Sequence, residues 1–167
     1  MAFNKSFPKR EYLKRSPGNK YQLYLLEPVQ QIINDKTGSH IYYKKWDKAE
    51  KKVYKSKEKL DGYFWECQIS VIHDGKLKVL TLNYRAFKEF VELASSSFDF
   101  VRNYFLVNTV QEGQYWSDHV SVGPQVDAET LQSFSKLKPI PFFPPKQQQS
   151  NFKVNNNPDP VTDDLPF

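Results

Sequence analysis

The alternation of apolar and polar positions is clearest in YFWECQISVI. There Tyr63, Trp65, Cys67, Ile69 and Val71 fall on one side of an extended chain, and Phe64, Glu66, Gln68 and Ser70 on the other. The first set is expected to be a core face. Similar runs of Tyr, Phe, Val and Ile between turn signals predict strands at roughly 20–33, 40–46, 62–73, 76–82, 100–110 and 114–122. Asp74-Gly75, between two such runs, predicts a hairpin, and the lysine-rich stretch 47–60 reads as a long loop or an extended hairpin arm. One segment changes period. In LNYRAFKEFVELASSS, Tyr84, Phe87, Val91 and Ala94 recur at helical spacing behind a possible Asn83 cap, so a helix is expected at about 84–96. VDAETLQSFSKL is a second, weaker helix, capped by Asp127 with Leu131 and Phe134 as its apolar stripe.

Residues 20–138 therefore read as one mainly β domain, an OB-fold-like barrel with one or two helices. Before it, residues 1–19 are basic, contain Pro8 and Pro17-Gly18 and keep no period, which predicts a flexible arm. After Lys138 the composition turns to Pro, Gln and Asn. Such a chain offers too little apolar area to offset its ordering entropy, so residues 139–160 are expected to be a disordered linker before a short acidic tip at 161–167.

Charge sharpens this division. The net +5 of the 167-residue chain is the sum of +9 over residues 1–60 and −4 over 61–167, so a polyanion is attracted to the first part. No run is long enough to cross a bilayer, and the N-terminal charges are not followed by an apolar signal core. A cytoplasmic protein of a bacterial or phage-infected cell, without a membrane partner, is the expectation. Cys67 is the only cysteine, which excludes an internal disulfide and a cysteine-based zinc site.

Catalytic patterns are weak. His40, His73 and His119 are far apart and stand in no metal-ligand spacing, and no Walker, Gly-x-Ser-x-Gly or Gly-x-Gly-x-x-Gly segment exists. Glu66, Asp74, Asp99, Glu112 and Asp118 could meet in space as a nuclease-like Mg²⁺ site, but nothing in their spacing asks for it. No catalysis, metal or cofactor is expected.

A binding pattern is stronger. Single-stranded nucleic acid is held without sequence preference by rings that stack on bases and cations that follow phosphates. HIYYKKW carries both on one strand, with Tyr42, Lys44 and Trp46 on one face and Tyr43 and Lys45 on the other. Phe64 lies on the polar face of its strand. Phe100, Arg102 and Tyr104 alternate as a second aromatic-cation-aromatic row. Lys48, Lys51, Lys52, Lys55 and Lys57 are then the phosphate-following cations. Some of these rings must be core, and the pattern does not say which.

The chain finishes in VTDDLPF after QQQSNFKVNNNPDP. Asp163, Asp164, Leu165, Pro166 and Phe167 resemble the C-terminal tip of bacterial-type single-stranded DNA-binding proteins, and the segment before them resembles those proteins' linker. The resemblance covers only about the last 20 residues. The body lacks the opening strand and glycine pattern of the cellular proteins and the zinc cluster of some phage versions, which suggests a divergent, phage- or plasmid-type relative. It implies a protein that coats single-stranded DNA in replication, recombination or repair and recruits the partner proteins of those processes through Asp163 to Phe167. An RNA-binding or chaperone role, or a small DNA-processing enzyme recruited by the same tip, would use the same features. Oligomeric state is left open.

Overall fold

The structure, a computed structural model, describes residues 10–145. The segments 1–9 and 146–167, which hold most of the expected linker and the whole acidic tip, lie outside the described residues. In chain order the elements are β1 (Asn19–Leu25), α1 (Val29–Asn34), β2 (Ile41–Asp47), β3 (Lys52–Ser56), β4 (Phe64–His73), β5 (Lys76–Leu82), α2 (Tyr84–Ser95), β6 (Asn103–Glu112), β7 (Tyr115–Gln125) and α3 (Ala128–Phe134).

All seven strands pair antiparallel, in the order β3-β2-β4-β1-β6-β7, with β5 on β4. β4 is the hub. Its residues 67–73 pair with β5, its first residues (64–67) with β2, and Val71 and Ile72 with the end of β1. β1 meanwhile uses Asn19 to Leu23 to pair with β6, so it carries the sheet around from one half to the other.

The sheet is not closed into a barrel. Residues 11–13 run along β5: Leu13 N–H donates to the Val79 carbonyl at 2.9 Å, and Val79 N–H to the Glu11 carbonyl at 2.8 Å. From there Arg15 donates to the Thr81 carbonyl on β5 at 2.9 Å and pairs with Asp118 on β7 at 2.9 Å. A segment and a guanidinium thus span from β5 to β7 in place of a ladder. The outer edge of β7 is blunted too, since Val120 N–H donates to Glu89 of α2 at 2.7 Å and Pro124 offers no donor.

The core follows the expected alternation. Cys67, Ile69 and Val71 face Leu23 and Leu25 of β1, Leu80 and Leu82 of β5, Phe105 and Val107 of β6, and Ala86, Phe87 and Phe90 of α2. Asn83 caps α2 by accepting from Ala86 N–H at 2.9 Å, and Asp127 caps α3 by accepting from Thr130 N–H at 2.8 Å. α3 covers a smaller cluster of Tyr24, Ile72, Val126 and Phe134.

The expected barrel is not closed and the described residues hold three helices rather than one or two; three further expectations are corrected. The run 20–33 is not one strand: β1 stops at Leu25, and Pro28, which cannot continue a ladder, precedes a short helix that buries Ile32. Residues 10–15, assigned to the flexible arm, are docked on β5 and β7. Residues 139–145, assigned to the linker, are packed as well. Ile140 is buried, its N–H donates to Ser70 Oγ at 2.9 Å, and the Pro141 carbonyl accepts from Arg10 at 2.6 Å. Ile140 thus covers Ser70, and Ser39 and His40 cover Gln68, so both residues are buried although they lie on the side of β4 opposite the core face. The alternation of β4 is as read, but its second face has been covered.

Candidate nucleic-acid interface

The pairing register assembles a surface that no single strand carries. Lys44 on β2 lies opposite Phe64 on β4 and opposite Lys55 on β3, while Trp46 lies opposite Val53. One face of this three-stranded part therefore holds Tyr42, Lys44, Trp46, Val53, Lys55, Phe64 and Glu66. At its outer end Phe64 is 74% exposed and Trp46 52%. The turn beyond Trp46 adds exposed Lys48 and Lys51, the latter in the left-handed region at φ 54°, and exposed Lys52 opens β3 opposite Asp47. Lys44 stands between the two rings and is held by Glu66 at 2.8 Å, which fixes its position but offsets its charge.

Toward the domain centre the same face changes character. Tyr42, expected as a stacking ring, is 1% exposed and its hydroxyl donates to Glu66. Lys55, expected to follow phosphates, is 5% exposed, with its ammonium 4.1 Å from the centre of the Tyr42 ring. Burial pushes this ammonium down to about 7, against the opposing pull of Glu66 and with the help of Lys44 and Arg10. These two residues form the floor of the site rather than its surface.

Other expected residues are placed elsewhere. Tyr43 is half-buried on the reverse face opposite Trp65, and Lys45, also half-buried, puts its ammonium 6.0 Å from the Tyr63 ring. Lys57 is tied to the Ile41 carbonyl at 2.7 Å and to Asp35 at 3.1 Å, so its role is structural. The row Phe100-Arg102-Tyr104 does not exist as one face. Residues 100–102 form a turn before β6, so Phe100 drops into the core 5.1 Å from Phe90. Arg102 is exposed beside Asp99, and Tyr104 packs edge-on to Tyr24 and Phe134. Asp163, Asp164, Leu165, Pro166 and Phe167 lie outside the described residues.

Besides Phe143 in the segment after α3, three exposed rings of the folded elements were not anticipated. Tyr115 and Trp116 stand at the β6–β7 turn, 70% and 55% exposed. Adjacent residues of a strand point to opposite faces, so a Tyr-Trp pair just after a Gly113 turn cannot bury both rings, and QEGQYW carried that signal. Tyr84, read as part of the α2 core stripe, instead lies edge-on to Trp65 at 5.3 Å with Lys88 5.6 Å from its ring, and stays largely exposed. The neighbouring Arg85 reaches the β6–β7 turn, pairing with Glu112 at 3.2 Å. Hydrogen bonds from Ser117, His119 and Arg85 hold the Glu112 carboxyl down to about 2. Glu89 and Glu112 flank His119 and raise it, against its desolvation.

The five acidic residues weighed as a metal site have separate partners, such as Lys44 for Glu66, Arg15 for Asp118 and Arg85 for Glu112. Among the described residues no group of three or more histidine, cysteine or acidic side chains is arranged to hold a metal ion. No family model, curated protein or solved structure matches the chain.

Proposed function

We propose that this chain binds single-stranded DNA without sequence preference, through the outer face of β2, β3 and the start of β4. The observation that carries the proposal is the pair of exposed rings, Phe64 and Trp46, around Lys44 and beside the lysines at the end of the β2–β3 hairpin, Lys48, Lys51 and Lys52. Leaving a large ring in water forfeits roughly 1.5–3 kcal/mol of burial, so two on one small face call for an occupant. Bases supply π-faces to such rings at about 1–3 kcal/mol each, and phosphates supply the charge that the lysines need.

The finer reading of the fold supports the same choice. The strands β1, β4, β5, β6 and β7 follow one another as the five strands of an OB-fold do. On that reading the β2–β3 hairpin fills the loop between the first two, and Tyr115 and Trp116 open the last strand beside the loop between the last two. Both loops and the intervening sheet face are where OB-folds take oligonucleotides. The acidic tip, Asp163 to Phe167, then serves replication or recombination proteins, with Leu165, Pro166 and Phe167 as the apolar anchor.

The deciding experiment is anisotropy of a labelled poly-dT of about 30 nucleotides against the intact chain over a range of salt, with poly-U of the same length as competitor. Tight, salt-sensitive binding that poly-U displaces poorly is expected. No binding of either polymer removes the proposal, and preferential binding of poly-U replaces it with RNA binding.

A further inference from the structure

A second concave surface differs in chemistry from the first. A groove of about 450 Å³ runs between the end of β1, the start of α1, the turn before β6 and the exit of α3, lined by Leu26, Val29, Phe100, Val101, Leu131 and Leu137 among others. Val101 and Leu137 stand at its mouth, exposed despite being aliphatic. None of the exposed rings Trp46, Phe64, Tyr84, Tyr115 and Trp116 lines it. Its flanks are cationic: Arg102 follows Val101, its side chain 74% exposed and 3.8 Å from Asp99, while exposed Lys136 and Lys138 bracket Leu137. Glu27, which also lines it, is engaged by His40 and the Ser70 N–H. The rings that line it, Tyr24, Phe100 and Phe134, are buried in its floor and offer no open face to a base, so an apolar slot with basic flanks suits a short acidic and apolar peptide.

The chain carries one such peptide, and its tether is long enough. The described chain ends at Pro145, and Pro144 lies against Gly38, just past the end of α1, whose first residue, Val29, lines the groove. α1 has six residues, so it spans about 9 Å. The 19 residues from 146 to 164 reach on the order of 25 Å as a coil. A tether of this kind gives an effective concentration in the millimolar range, so even weak docking is populated. We infer that the tip of the same chain, with Leu165, Pro166 and Phe167 in the groove and Asp163 and Asp164 toward Arg102, Lys136 and Lys138, docks there when no partner holds it. This rests on the reading of 161–167 as a docking tip and adds its resting place. The groove would then set how readily partners capture the tip, without occupying the aromatic face.

The test is methyl NMR of the intact chain with labelled Leu and Val, compared with Phe167→Ala, whose substitution lies outside the folded domain. The expected result is displacement of the Val101, Leu131 and Leu137 methyl signals on Phe167→Ala, unchanged by tenfold dilution, with the Trp46 and Trp116 indole signals unmoved. Val101→Glu should shift Leu131 and Leu137 and release the tip signals in the same way. Groove methyls that ignore Phe167→Ala overturn the inference. So does a response that vanishes on dilution, which would give the groove to the tip of a second copy, or one confined to the indoles. Anisotropy on the same sample reads the DNA proposal separately: loss of DNA binding with a groove response leaves this inference standing, and the converse removes it alone.

Discussion

The two ends of β4 present the same face of the same strand, yet one is open and the other sealed. Phe64 and Glu66 begin the row, with Phe64 in water; Gln68 and Ser70 continue it and are both buried. The difference lies in what covers each end. Over Ser70 sits Ile140, with Pro141 held by Arg10. Over Gln68 lie Ser39, whose carbonyl accepts from its amide at 3.0 Å, and His40, whose ring nitrogen lies 2.9 Å from the Gln68 carbonyl. At the open end the β2–β3 hairpin extends the sheet and brings Lys44 onto Glu66 and Trp46 alongside, leaving Phe64 uncovered. A polar position on a strand therefore marks a face, and the rest of the chain decides whether water, protein or a ligand meets it.

The largest effect expected from this comparison is on binding. Trp46→Ala with Phe64→Ala should weaken poly-dT binding by about 2–6 kcal/mol, at about 1–3 kcal/mol per stacking ring. The thermal midpoint should stay where it is or rise, since exposed rings contribute little to packing. Anisotropy and a melting curve on the same preparation check both halves, and a fall in melting temperature that matches the loss of affinity would mean the rings belong to the fold. The sealed end should behave in the opposite way. Ile140→Asp places a charge against buried Ser70 and opens the cover, and should cost about 2–4 kcal/mol of stability by denaturant unfolding. DNA affinity of the folded fraction should stay unchanged.

Most of the fold was legible because it depends on periodicity. The β4 core face, the Asp74-Gly75 hairpin, α2 with its Asn83 cap and α3 with its Asp127 cap all follow from local pattern. The site was only half legible. Trp46, Phe64 and the turn lysines are on the surface as read, because an aromatic ring on the polar side of a strand is visible in one dimension. Tyr42 and Lys55 were not distinguishable from them, because their burial comes from tertiary packing of the three strands against Glu66 and the rest of the domain. Phe100 was misplaced because a turn interrupts the alternation on which its assignment depended. The docked segments 10–15 and 139–145 were missed for a similar reason: a few residues such as Leu13 and Ile140 anchor stretches whose average composition reads as coil.

Lys55 tests the floor beneath the open end. An ordinary lysine titrates near 10.5 and this one near 7, so between those values the unfolded chain binds more protons than the folded chain, and stability rises with pH across that window. Below about 7 both states carry the proton and the penalty of burying the charge is complete. Lys55→Met keeps the stem and removes the charge. It should flatten the pH dependence between 7 and 10.5 and stabilise the domain at pH 7, by at most a few kcal/mol given the compensating Glu66 and the Tyr42 ring face. Urea midpoints at pH 7 and pH 9 for both chains measure this. Parallel pH profiles would mean that Lys55 carries its charge without penalty.

The smallest effect should separate the rim of the open end from its rings. Lys48 and Lys51 are exposed on the hairpin turn and Lys52 at the first position of β3, where a phosphate chain passing Trp46 would run. Each phosphate neutralised on a single strand contributes about 0.7 to the slope of log affinity against log salt. Replacing all three with glutamine should therefore lower that slope by about 2 while leaving affinity at high salt nearly unchanged. The ring variant should do the reverse, keeping the slope and losing affinity at every salt concentration. If the lysine variant instead lost affinity equally at low and high salt, the turn would be shaping the hairpin rather than meeting phosphates. The proposed contact of this face with DNA would then rest on the two rings and Lys44.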